Sequence, residues 1–101
     1  MKVRFQIFKN RMVVSNGIQE VEVRSSAPFS TERLLVGNFD SAWACAETAE
    51  KKLSIKGWFK NKPTVVVEPK EMIEGGLCQV EERVLMELAC AFNPRATVIN
   101  V

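Results

Sequence analysis

Pro63-Thr64-Val65-Val66-Val67-Glu68-Pro69 holds a continuous β-branched run, Thr64 to Val67, bounded by Pro63 and Pro69. β-branched side chains suit a pleated surface, and continuous rather than alternating apolar character is typical of a central strand buried on both faces. Downstream, Val80, Val84, Leu88 and Phe92 recur at steps of four and predict a helix from about Gln79 to Phe92. Glu81 and Glu82 fall in its first turn, where the helix dipole favours anions, and Asn93-Pro94 ends it. Ala96 to Val101 then reads as a last buried strand. A strand, a helix and a strand joined this closely require a right-handed crossover and a parallel pair.

Upstream, the reading changes to antiparallel strands. Val3, Phe5 and Ile7 alternate with Lys2, Arg4 and Gln6 at the period of two expected of a half-buried strand. Lys9-Asn10 predicts a tight turn into Met12-Val13-Val14. Asn16-Gly17 is a hairpin signal, since both central residues of a type I′ turn need positive φ. Glu20-Val21-Glu22-Val23-Arg24 alternates again, and Leu34-Leu35-Val36 reads as a short strand stopped by Gly37. Residues 2–36 are therefore expected to form an antiparallel meander. Asp40 is the expected N-cap of a helix carrying Ala42, Trp43, Ala46, Ala49 and Leu53 inward, with Lys51 and Lys52 near its C-terminus.

A meander followed by helix, strand, helix and strand is the element order of the ribonuclease H-like fold, an α/β (mixed α+β) class that hosts many functions. Residues 58–101 also resemble the bacterial actin homologue MreB. The residues that carry this are Trp58-Phe59-Lys60, Pro63 to Pro69, Gln79-Val80-Glu81-Glu82-Arg83 and Ala96-Thr97-Val98-Ile99, with Leu35-Val36-Gly37 as a weaker echo. The resemblance implies an actin-like first subdomain. Where the family carries an Asp-Leu-Gly-Thr-type phosphate turn, this sequence has Phe8-Lys9-Asn10-Arg11, without the aspartate that organises magnesium. The sequence also stops at Val101, before the family's catalytic Glu-Glu-Pro segment. ATP hydrolysis is not expected, and no cofactor or metal is.

Composition narrows the classes further. The 101 residues suit a single domain, 1–101, with ordinary hydrophobic (47%) and charged (26%) fractions. Fourteen basic against 12 acidic residues give a net charge of +2, too balanced to argue for nucleic acid on bulk charge. There is no histidine, which removes the usual neutral-pH base and the commonest zinc ligand, and no tyrosine. Cys45, Cys78 and Cys90 have no C-x-x-C spacing and are expected to be free, mostly buried thiols. Met1 leads straight into Lys2-Val3-Arg4-Phe5 without a secretory apolar stretch, and no run is long enough to span a membrane. A cytoplasmic protein that is not an enzyme is the expectation.

One segment stands out as a contact site. Lys56, Trp58, Phe59, Lys60 and Lys62 place two adjacent aromatics among three lysines. Such a loop can insert rings into a headgroup layer while each ammonium group near anionic lipid contributes about 1 kcal/mol. The resemblance points the same way, since MreB-like proteins touch the membrane through an apolar loop here. The same rings can instead fold back onto the core, or stack bases beside phosphate-binding lysines. Gly75-Gly76 before a helix is a weak anion cradle, because Glu71, Glu74 and Glu81 would repel phosphate. Glu81 and Glu82 lie on adjacent helix faces and make no acid–base pair, and Cys78 has no histidine to activate it.

The expectation is a non-catalytic binding or adaptor protein associated with the actin-like cytoskeleton or, peripherally, with the inner membrane surface. Its protein partner, or a second copy forming a homodimer, would dock on an exposed strand edge. The alternative is a small nucleic-acid-associated protein using loop 56–62.

Overall fold

The computed structural model describes residues 2–54 and 62–101. Strands β1 (Lys2–Phe8), β2 (Arg11–Ser15) and β3 (Glu20–Arg24) come first. Helix α1 (Phe39–Ser54) follows, then β4 (Thr64–Pro69), α2 (Gln79–Ala89), a 3-10 turn (Cys90–Phe92) and β5 (Ala96–Ile99). One sheet holds the five strands in the order β3-β2-β1-β4-β5. The first three form an antiparallel meander, while β4 runs parallel to both β1 and β5. The mixed α/β class and the expected order of elements are as read from the sequence.

Topology fixes where the helices go. From β3 to β4, and again from β4 to β5, the chain moves in the same direction across the sheet. Right-handed crossovers then put both helices on the same face, and α1 and α2 do touch each other there. The core lies between. Val3, Phe5 and Ile7 of β1, Met12 and Val14 of β2, and Val65 and Val67 of β4 meet Ala42, Ala46, Ala49 and Leu53 of α1 and Leu85, Leu88 and Ala89 of α2. The alanines of α1 let the helix approach the sheet closely. Phe92, in the 3-10 turn, packs on Phe5 with ring centroids 5.0 Å apart and planes tilted by 60°.

Several expectations are corrected. The valine strand β4 is interior, with β1 and β5 on either side, but among the described residues no element covers the sheet's other face, so Val66 is only half-buried. The last strand, β5, is an edge strand whose residues alternate between exposed and half-buried. Leu34-Leu35-Val36 forms no strand, and Leu35 and Val36 lie in a bend. The Thr31 N–H donates to the Leu34 carbonyl (2.8 Å) and the Ser30 hydroxyl to that of Leu35 (2.5 Å), so local partners replace a ladder. The backbone passes so near Thr31 at Gly37 that a Cβ there would overlap the threonine side chain.

Turns and caps differ as well. β2 and β3 are joined by residues 16–19, where the Asn16 side-chain oxygen accepts the N–H groups of Ile18 (2.8 Å) and Gln19 (2.7 Å). Only Gly17 in this loop has positive φ (91°), which rules out a type I′ turn. Helix α1 is capped two residues earlier than expected, because the Asn38 side chain accepts the Ser41 N–H (3.2 Å) and acts as N-cap; Asp40 lies in the first turn. On α2 the buried stripe is Leu85, Leu88 and Ala89, while Val80 is 71% exposed. Of the three cysteines only Cys45 is buried; Cys78 and Cys90 are exposed.

Candidate functional site

The two edges of the sheet are built differently. At one edge β3 alternates inward valines with outward Glu20, Glu22 and Arg24, and charges of this kind discourage pairing with a foreign strand. At the other, β5 reads Ala96-Thr97-Val98-Ile99, with no charge. Its position follows from the residues before it. Asn93 adopts a left-handed conformation (φ 48°) that ends the 3-10 turn, and Pro94 cannot continue a helix. The strand is then pinned at both ends, the Arg95 N–H donating to the Pro63 carbonyl and the Asn100 N–H to that of Val67, both at 2.8 Å. Val98 is 51% exposed on the open face of the sheet. An uncharged, anchored, outward edge can accept main-chain hydrogen bonds from an added strand.

The open face itself is polar. Glu68 of β4 is only 5% exposed, because Arg4, Gln6 and Lys70 close over it. Arg4 donates through Nη2 to Oε1 (2.9 Å) and through Nε to Oε2 (3.2 Å), a two-pronged pairing across β1 and β4, and Lys70 Nζ lies 3.1 Å from Oε1. The hydrogen bond from Arg4, with help from Lys70 and Gln6, outweighs burial and holds the Glu68 carboxyl down at about 2. Glu68 in turn raises the Arg4 guanidinium above its ordinary value. This carboxylate has its hydrogen bonds filled and ties two strands together; it is not poised to accept a proton. Arg11 adds a second tie, reaching Glu22 at 3.4 Å while its guanidinium sits 4.0 Å over the Phe8 ring.

On the helix side, a cleft opens at the far end of β4. Leu34, Leu35 and Val36, the 69–77 segment and the first turns of α2 line it. Its walls are apolar apart from Glu71 and Glu81. Both carboxylates are fixed by backbone donors: Lys9 N–H to Glu71 (2.6 Å) and Cys78 N–H to Glu81 (3.0 Å).

The residues singled out from the sequence fare unevenly. Lys56, Trp58, Phe59 and Lys60 lie outside the described residues, and Lys62 is exposed just before buried Pro63. Gly75 and Gly76 both take positive φ (80° and 84°), with Glu71 and Glu74 on the same loop. Burial pushes the Cys45 thiol up to about 11, and its Sγ donates to the Val23 carbonyl at 3.6 Å, as befits a core residue. Among the described residues no group of three His, Cys, Asp or Glu side chains is placed to hold a metal ion, and no helix is long and apolar enough to cross a membrane. Sequence reading missed both the contrast between the edges and the cleft. The missing charge in 96–99 was a visible signal for the first. The cleft joins three distant segments and left no local signal.

Among the described residues the molecule is thus a mixed α/β protein with two helices on one face of a five-stranded sheet and one unguarded sheet edge. No family model matches the chain. Over 88 aligned residues it is 38% identical to a protein of Escherichia coli (strain K12) described as Uncharacterized protein YjaA, covering 82% of this chain and 69% of that relative, and it belongs to the same family.

Proposed function

We propose that this chain is a non-catalytic protein-binding module on a ribonuclease H-like framework, akin to the first subdomain of an actin-like protein. The strand order β3-β2-β1-β4-β5, with the first three strands antiparallel and the last two parallel to β1, supports that framework. The partner adds a strand along β5. The observation that carries this is the contrast between the charged β3 edge and the uncharged β5 edge. With only four residues, β5 offers few main-chain bonds, so side chains beside Val98 must supply much of the affinity. A bacterial actin-like filament protein, or a second copy of this chain, is the class of partner that an actin-like framework implies.

The test is affinity capture with the wild-type chain and with Val98→Lys, which places a charge on the edge without disturbing the core. Light scattering over a range of concentrations reports self-association alongside. The reading expects captured or paired material that the variant loses, and slowed hydrogen exchange of the 96–99 amides in the complex. Capture that survives the substitution, or edge amides that exchange equally fast with the partner bound, would discard it.

A further inference from the structure

We propose that the apolar cleft beside α2 is a preformed groove for an amphipathic segment of a partner protein that carries basic residues beside its apolar face. This rests on reading the chain as a binding module, but not on the β5 edge. Leu34, Val36, Ile73, Leu77, Val80 and Val84 supply the apolar wall. Leu34 is 43% exposed, and Val80 protrudes further still. Large apolar side chains left in water along one concave surface are what an amphipathic ligand covers.

Charge decides which ligand. The cleft's ionisable lining residues, Glu71 and Glu81, are both acidic. A shallower neighbouring depression shares Glu71 and Met72 and adds Glu32 and Glu74 against Lys9 and Arg33. Together these make four carboxylates against two cations, a net of −2 on a chain whose total is +2. Neither Glu71 nor Glu81 is within ion-pair distance of a cation among the described residues. Their backbone donors hold them at the rim with the negative charge unneutralised. Such a rim repels phosphate groups and anionic membranes, and attracts lysine and arginine.

The groove's shape is held without a ligand. Met72 sits at φ 61°, a left-handed conformation that costs a non-glycine residue on the order of 1 kcal/mol, and its side chain packs against the core. Lys70 N–H donates to the Ile7 carbonyl (2.9 Å), and Gly76 N–H to that of Ile73 (3.0 Å). A wall fixed in advance lowers the ordering cost of binding.

The experiment measures fluorescence anisotropy of a labelled synthetic Leu/Lys amphipathic peptide and of its Leu/Glu counterpart. Each is titrated with the wild-type chain, Val80→Glu, the double variant Glu71→Gln/Glu81→Gln, and Val98→Lys. The two glutamines can still accept the Lys9 and Cys78 N–H groups, so they remove charge while keeping the loop's hydrogen bonds. The proposal expects the Leu/Lys peptide to bind at least ~10-fold more tightly than the Leu/Glu peptide, a difference of about 1.4 kcal/mol. Val80→Glu should lower binding, the double glutamine variant should lower both affinity and salt dependence, and Val98→Lys should leave it unchanged. Equal binding of the two peptides, or wild-type affinity in Val80→Glu, overturns the proposal. So does loss of binding in Val98→Lys, which would move the site to the β5 edge. Binding of neither peptide overturns the groove while leaving the edge reading intact.

Discussion

Asn10 does more than turn the chain. Its φ of 56° closes the β1–β2 hairpin, and its side-chain oxygen accepts the N–H groups of Phe29 and Ser30, both at 2.8 Å. Its own N–H donates to the Ser30 hydroxyl (3.1 Å), and its carbonyl accepts the Ser25 N–H (2.9 Å). Fully buried Phe29 then offers its carbonyl to Gly37 and Asn38, so this asparagine anchors the long connection into α1. Asn10→Gly keeps the backbone conformation but strands two donors, and should lose about 1 to 3 kcal/mol by urea denaturation. Asn10→Asp, which keeps the acceptor, should lose much less; equal losses would mean that the two bonds do not hold the loop. Glu68 yields a prediction in pH. Its folded value of about 2 lies below the ordinary 4.5, so its contribution is fully present above about 4.5 and is lost as pH falls from there toward 2. Because Arg4 is half exposed, solvent screens the pair and that contribution is small. Stability of the wild type measured through this window should fall relative to Glu68→Gln, and parallel curves would mean that the Arg4 bridge contributes nothing.

At the scale of elements, sequence and structure part at the ends and faces of helices and strands, for identifiable reasons. Asn38 and Asp40 are both good caps, and propensity cannot choose between them. The choice is made by the chain's arrival: the Phe29 carbonyl accepts the Asn38 N–H at 2.9 Å, which sets Asn38 outside the helix with its side chain over the Ser41 N–H. Asn38→Ala should therefore cost about 1 kcal/mol of thermal or denaturant stability. Asp40→Ala, which removes only a charge near the dipole, should cost about 0.3 to 1 kcal/mol. A larger loss at Asp40 would return the cap to that residue. The alternation in β1 and β3 was fully legible, because a strand with one wet face writes its burial into every second residue. The valine run of β4 was not, because valine is equally at home on a half-covered face when long neighbours shield it. Val13 shows the same effect: it lies on the open face beside Gln6 and Glu22 in the ladder, yet it is buried. The candidate site was hardly legible, since an edge is defined by which strand has no neighbour, and that is decided by pairings between distant segments.

For the whole molecule, the central fact is that both crossovers run the same way and leave the described residues in two layers. The helix packing among these residues is then concentrated on one face, with Phe5 of the central strand at its middle. Phe5 touches Phe92, which closes the far end of the α2 connection, and it is paired in register with Val14 on one side and Val67 on the other. The opposite face contributes polar ties such as Arg4–Glu68, which are worth less per contact in water. Losing the Phe5 ring should therefore be felt across the entire sheet. Phe5→Ala is expected to cost about 3 to 5 kcal/mol, a large share of the roughly 5 to 15 kcal/mol available to a domain of this size. Phe92→Ala removes the same tilted ring contact from the other side but lies in a turn beside a helix end, where collapse can fill part of the space. It should cost less than Phe5→Ala. Because the two rings share one contact, the double variant should cost less than the sum of the singles. Denaturant curves of the four proteins measure this directly. Additive losses would mean that the rings stabilise separate parts of the fold, and that the core is not the single cooperative layer that the one-sided topology implies.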